Sequence, residues 1–217
     1  MRTIAVATPK GGAGKTTLAV HLALAGYLRG HATILADADP QRSASEVLRM
    51  RSAEGPKRVE TSGAKLFALK DSAERSGADF LIVDTPPGPE QDVGYALSHA
   101  DLTVLVVRPT FLDIAAAVRI IDLTRRLGRS AVIVLNQALC PRAGQEPPSV
   151  RKAIEALRFT SLPISPVVIR SRATYQIAAA TGKSVEELGP SAAADETAAL
   201  WLHIERLVGD GAVRKRA

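Results

Sequence analysis

Ten residues near the start of the chain, Thr8-Pro9-Lys10-Gly11-Gly12-Ala13-Gly14-Lys15-Thr16-Thr17, set glycines, lysines and hydroxyls at the spacing of a phosphate-binding loop. The pattern G-x-x-x-x-G-K-S/T expects glycine at position 9, where this chain has Pro9, and a second lysine, Lys10, follows at once. Glycine at 11, 12 and 14 lets backbone N–H groups converge on phosphate oxygens, and the helix that opens behind them adds a favourable dipole. In such a loop Lys15 reaches the β- and γ-phosphates and Thr16 holds Mg²⁺. Lys10 has no part in that scheme.

Two acidic clusters follow. Asp37-Ala38-Asp39-Pro40-Gln41 comes after the apolar run 33–36, and Asp84-Thr85-Pro86-Pro87-Gly88 after the run 80–83. A hydrophobic strand ending in aspartate has the form of a Walker B site, whose carboxylate orients Mg²⁺ or its bound water. Asn136 stands in the same place after the run 131–135, and its amide can both accept from and donate to a nucleobase.

The elements that must position these residues are legible as an alternation. Runs rich in β-branched residues at 3–7, 33–36, 80–83, 103–107 and 131–135 predict buried strands. Helical patterns at 15–29, 43–51, 65–76, 114–127 and 149–158 lie between or after them. The alternation predicts a single-domain α/β fold: a mostly parallel, twisted sheet with helices on both faces. The run 164–169 carries Pro163 and Pro166 and suits a sheet edge. Two more helices are expected near 171–181 and 195–208, with loops at 52–57 and 140–148. Residues 1–208 then form the domain, and 209–217, ending in Arg214-Lys215-Arg216, a flexible basic tail.

Composition narrows the partners. The chain has 217 residues, 28 Lys+Arg against 22 Asp+Glu, and a net charge of +6, which favours polyanions. Arg119, Arg125, Arg126 and Arg129 face only Asp122, while Arg142, Arg151, Lys152, Arg158, Arg170 and Arg172 face only Glu146 and Glu155. The excess therefore lies in the second half. A single cysteine, Cys140, excludes an internal disulfide and a cysteine metal cluster within one chain, as befits a reducing cytoplasm. No apolar run approaches the roughly 20 residues of a membrane span.

Together, "KGGAGKTT", "DADPQ" and "LIVDTPPG" resemble the deviant Walker A ATPases of the ParA/MinD family, most closely the short ParA-type partition ATPases without an N-terminal helix-turn-helix. The resemblance covers nearly the whole chain in order and spacing. It implies that Lys10 is the signature lysine that crosses a dimer interface to the partner subunit's nucleotide phosphates. It assigns ATP binding to Lys10, Gly11, Gly12, Ala13, Gly14, Lys15, Thr16, Thr17 and Asn136, the last on the adenine. Lys10, Lys15 and Asp39 are the implied catalytic residues, with Asp39 on the attacking water. Thr16, Asp37 and Asp84 are the implied Mg²⁺ group, and Pro40 and Gln41 open a switch segment. Residues 166–170 occupy the family's other base-flanking region.

The implied function is an ATP-dependent positioning switch. An ATP-bound homodimer binds DNA without sequence preference, through Arg170, Arg172, Arg151 and Lys152, and a ParB-like or cargo-adaptor partner stimulates hydrolysis and release. Such a protein would segregate a plasmid or chromosome, or place a protein cargo, on the nucleoid in the cytoplasm. A MinD-like membrane-associated ATPase is the alternative and needs a basic amphipathic terminal helix. The stretch "DETAALWLHIERLVGD" instead carries Asp195, Glu196 and Glu205 with only Arg206 among the fixed cations, which predicts a docked helix and no membrane partner. An electron carrier of the nitrogenase-reductase kind fails on sulfur, since a cluster shared by two subunits needs two cysteines from each.

Overall fold

Along β1 (Arg2–Ala7), Ile4 and Val6 point into one apolar layer and Ala5 and Ala7 into the other. A strand buried on both faces belongs inside a parallel sheet covered by helices on each side. The computed structural model describes residues 1–86 and 91–214. Pro87 and Gly88 of the second acidic cluster, and Lys215 and Arg216 of the tail, lie outside the described residues.

The other strands are β2 (Thr33–Asp37), β3 (Lys57–Glu60), β4 (Phe80–Asp84), β5 (Leu102–Val107) and β6 (Ala131–Leu135). They pair in parallel in the order β3-β2-β4-β1-β5-β6. The helices are α1 (Lys15–Leu28), α2 (Ser43–Arg49), α3 (Leu66–Arg75), α4 (Gln91–His99), α5 (Phe111–Arg126), α6 (Pro148–Leu157), α7 (Thr174–Ala180) and α8 (Ala192–Arg214). Residues of α1, α2, α7 and α8 pack on one face, those of α3 to α6 on the other.

α1 is buried from Leu18 to Gly26, which explains why its sequence is apolar on every side rather than along one stripe. Its outer cover is α8, whose Leu200, Trp201, Ile204 and Val208 are all buried. α8 is thus a docked helix, as its acidic composition predicts. It also runs to Arg214, beyond the expected domain end at 208. No helix among the described residues is long and apolar enough to cross a membrane.

Three expectations need correction. The run 164–169 forms no continuous strand; an isolated bridge from Ile164 to Ile133 and backbone bonds such as Ser165 N–H to the Ile133 carbonyl and Ile169 N–H to the Leu135 carbonyl lay it along β6. Pro163 and Pro166 lack the N–H groups a continuous ladder requires. The opposite edge is β3, of sequence KRVE, whose polar residues hide a strand that begins where a loop was expected. α4 was not anticipated at all, because Gly94 and scattered polar residues blur its period.

Register matters most for function. Asp84 is the in-register neighbour of both Val6 and Asp37. The carboxyl ends of β1, β2, β4 and β6 therefore deliver the glycine loop, both acidic clusters and Asn136 to one edge, where open α/β sheets place ligands.

Candidate functional site

The glycine loop leaves β1 and enters α1 through two left-handed residues, Gly12 (φ 80°) and Gly14 (φ 83°). Gly11 and Gly12 face open space, so their backbone is accessible to a ligand. Gly14 is constrained twice, since any side chain there would also collide with the Asn136 amide. That amide and its neighbour stitch the loop to the end of β6. Asn136 Nδ2 donates to the Ala13 carbonyl at 2.7 Å, and Gln137 Nε2 donates to the Gly12 carbonyl at 3.0 Å. Gln137 adopts a left-handed backbone (φ 52°) beside this contact.

Lys15 is buried at the centre of the cluster. Its Nζ lies 2.7 Å from Asp84 Oδ1, 3.6 Å from Asp39 Oδ2 and 3.5 Å from the Thr16 hydroxyl. The Asp84 carboxyl is pushed up to about 6 by burial, against the opposing pull of Lys15. Lys15 is in effect the counterion of this acidic pocket, and an incoming phosphate must draw it away.

Asp84 Oδ2 is buried without a hydrogen-bond partner, and the Thr16 hydroxyl lies beside the carboxylate. An orphaned carboxylate oxygen next to a hydroxyl fits a small, hard cation such as Mg²⁺. Asp37 differs from the expected metal role. Its two oxygens accept from the backbone N–H of Asp39 (3.2 Å) and of Ser45 (2.8 Å), so it fastens the start of α2. Asp39 stays at the site: one oxygen accepts from Gln41 N–H at 2.9 Å and the other faces Lys15.

Beside the loop lies a cavity of about 350 Å³ lined by Gly14, Thr17, Asn136, Arg172, Tyr175 and Gln176, among others. Its position fits a base and ribose. Burial pushes the Tyr175 hydroxyl up to about 12, so the ring stays neutral. Residues 169 and 170, from the expected base-flanking segment, also line it.

The arginines divide. Arg170, favoured by sequence for DNA, is only 8% exposed and pairs through both Nη atoms with the Glu146 carboxylate, adding the Leu139 carbonyl at 2.9 Å. Arg172 pairs with Glu196. Both guanidinium groups are engaged by carboxylates, Arg170 buried and Arg172 part-exposed at the cavity wall, so neither offers a free fork to a phosphate backbone. Arg151 and Lys152, on α6, are exposed.

Lys10 turns toward α5. It shares a cleft with Leu112, Ala115 and Arg119, and has no ion pair among the described residues. Phe111 and Leu112, at the start of α5, are 82% and 64% exposed.

Sequence reasoning missed Gln137, Arg51 and Glu187. Gln137 could have been found, because it adjoins Asn136 at a strand end. Arg51 could not, because its partner Glu187 lies 136 residues away.

The sequence profile of the CobQ/CobB/MinD/ParA nucleotide binding domain matches residues 4–185. The chain is similar to "Maintenance of carboxysome distribution protein A" of Halothiobacillus neapolitanus, 30% identical over 89% of this chain and 92% of that protein. It is also similar to the protein of the same name from Gloeobacter kilaueensis, 32% identical over 85% and 83%. Among solved structures, an ATP complex of an McdA variant from Cyanothece superposes with a TM-score of 0.79 over 96% of both chains at 18% identity.

Proposed function

This chain belongs to the CobQ/CobB/MinD/ParA nucleotide-binding family, and we propose that it is an Mg²⁺-dependent ATPase acting as a positioning switch. The observation that carries the reading is the setting of Lys15, buried beneath an open glycine loop between Asp84 and Asp39.

In this scheme the backbone of residues 11–14 binds the phosphates, and Lys15 leaves Asp84 for the β- and γ-oxygens. Thr16 and Asp84 hold Mg²⁺, which when bound neutralises phosphate charge. Asp39 orients the attacking water, while Asn136 and the adjoining cavity hold the adenine.

Lys10 acts across a dimer. The residue lines the cleft beside α5 and not the base cavity. A cation so placed is available to phosphates held by a second copy, and would link nucleotide binding to association. The exposed Phe111 and Leu112 beside it supply apolar area for the same contact.

The ATP-bound dimer binds DNA non-specifically through Arg151 and Lys152 on α6, and an adaptor or ParB-like partner triggers hydrolysis and release. The similarity to carboxysome distribution proteins favours a protein cargo over a plasmid. The protein would then act in the cytoplasm on the nucleoid.

The deciding experiment measures mass by light scattering with and without Mg-ATP. A shift from monomer to dimer with ATP, lost in Lys10→Ala while ATP binding persists, supports the reading. A Lys10→Ala protein that dimerises and hydrolyses normally would remove the cross-subunit role. Asp39→Ala is expected to keep ATP binding and lose turnover.

A further inference from the structure

Three helices that border the nucleotide site converge at their other ends around one short turn. α1 starts in the phosphate loop at Lys15, and α2 starts at the Asp37 carboxylate, which accepts from Ser45 N–H. α7 lines the base cavity with Tyr175, Gln176 and Ala179. Their opposite ends reach the 3-10 turn Val185–Leu188 or the residues that lead into it. With 1.5 Å per residue, α1 is about 21 Å long, so this junction is remote from the phosphates.

The contacts there are specific. Arg29, just past α1, reaches Glu186 with Nη1 at 3.3 Å and Nη2 at 2.9 Å. Arg51, just past α2, makes a bidentate pair with Glu187, both bonds 2.8 Å. Arg51 Nη1 also donates to the Gly182 carbonyl, just past α7, at 3.1 Å, and Nε donates to the Glu54 carbonyl at 2.8 Å. Gly182 has φ 64°, and any side chain on it would collide with the Arg51 backbone. The fit between the ends of α2 and α7 thus depends on that glycine.

Glu187 is held from its own side too. It accepts from Ser184 N–H at 2.8 Å in a capping box. Burial pushes its carboxyl up, but the Arg51 and Ser184 bonds outweigh this and hold it below its ordinary value. The Arg51 side chain is 6% exposed, so the pair is shielded, planar and directional, unlike a mobile surface pair.

We propose that the Arg51–Glu187 pair positions the machinery of hydrolysis. It sets α2, and through the Ser45–Asp37 bond the segment bearing Asp39, relative to the base-cavity helix α7. Occupancy of the base cavity and the placement of the water-side carboxylate are then fixed together. Neither residue touches nucleotide. The proposal rests on the ATPase reading above.

Wild type, Glu187→Gln and Arg51→Lys are compared by ATPase kinetics, by Kd for a fluorescent ATP, and by hydrogen–deuterium exchange of segments 37–46 and 182–188. The variants are expected to keep the Kd within about threefold while kcat falls about tenfold, with Arg51→Lys the milder because it keeps the charge but not the fork. In wild type, nucleotide should protect 182–188 as well as 37–46, and Glu187→Gln should uncouple the two. A normal kcat in both folded variants overturns the proposal. So does wild-type protein whose 182–188 segment gains no protection from nucleotide, a result independent of how the variants fold. Wild type that binds nucleotide without hydrolysing it would instead overturn the ATPase reading, leaving the exchange result to judge the coupling.

Discussion

His21 sits one turn beyond Thr17, with Nδ1 2.8 Å from the Thr17 carbonyl and its ring edge-on to Tyr175. A carbonyl only accepts, so Nδ1 carries the proton and Nε2 is a buried nitrogen without a partner. Burial lowers the His21 pKa from 6.5 to about 4. The unfolded chain binds this proton near pH 6.5 and the native protein only near 4, so native stability is full above 6.5 and falls as pH drops through that window. The shift corresponds to about 3 kcal/mol. His21→Asn, which retains a donor toward Thr17, should flatten the loss in urea melts between pH 6.5 and 4; an unchanged slope would assign the acid sensitivity elsewhere. At this scale the sequence was most legible where residue type dictates the job. Lys15, Asp84 and the glycines fall where their spacing predicts. Asp37 and Arg170 do not, because a formal charge says nothing of its partner: backbone N–H groups take up the first and Glu146 the second.

At the scale of elements, the α1–α8 contact carries much of one layer. Trp201 is fully buried, stacks edge-on to Phe80 with ring centroids 4.9 Å apart, and packs against Gly26 of α1. A Cβ at position 26 would approach the indole to 2.7 Å. Trp201→Ala should cost about 3–5 kcal/mol in denaturant melts, and Gly26→Ala should destabilise by overpacking. A loss under 1 kcal/mol for Trp201→Ala would mean that α8 docks by other residues. The five apolar strands were readable because burial on both faces demands continuous β-branched runs. β3 was not, since an edge strand needs no such run, and residues 164–169 misled because apolar content outlasts the donors that prolines remove.

For the molecule as a whole, the basic excess is the feature that composition exposed and the structure redistributed. With Arg170 and Arg172 paired to Glu146 and Glu196, the DNA contact proposed above rests on the exposed α6 pair. Arg151→Ala with Lys152→Ala is expected to weaken binding to random-sequence duplex in the presence of ATP and to reduce the salt slope by about 1 per lost phosphate contact. A slope unchanged by both substitutions would move the interface off α6. The sheet carries a last consequence, for how large an assembly can grow. One margin is β3, with Lys57, Arg58 and Glu60 exposed along it, and the other is flanked by a proline-broken segment. Neither offers the flat, apolar ladder on which strands from successive molecules stack. Growth by edge pairing into open-ended fibres is disfavoured at both margins, whereas a twofold contact through the nucleotide face consumes its own surface and stops at a pair.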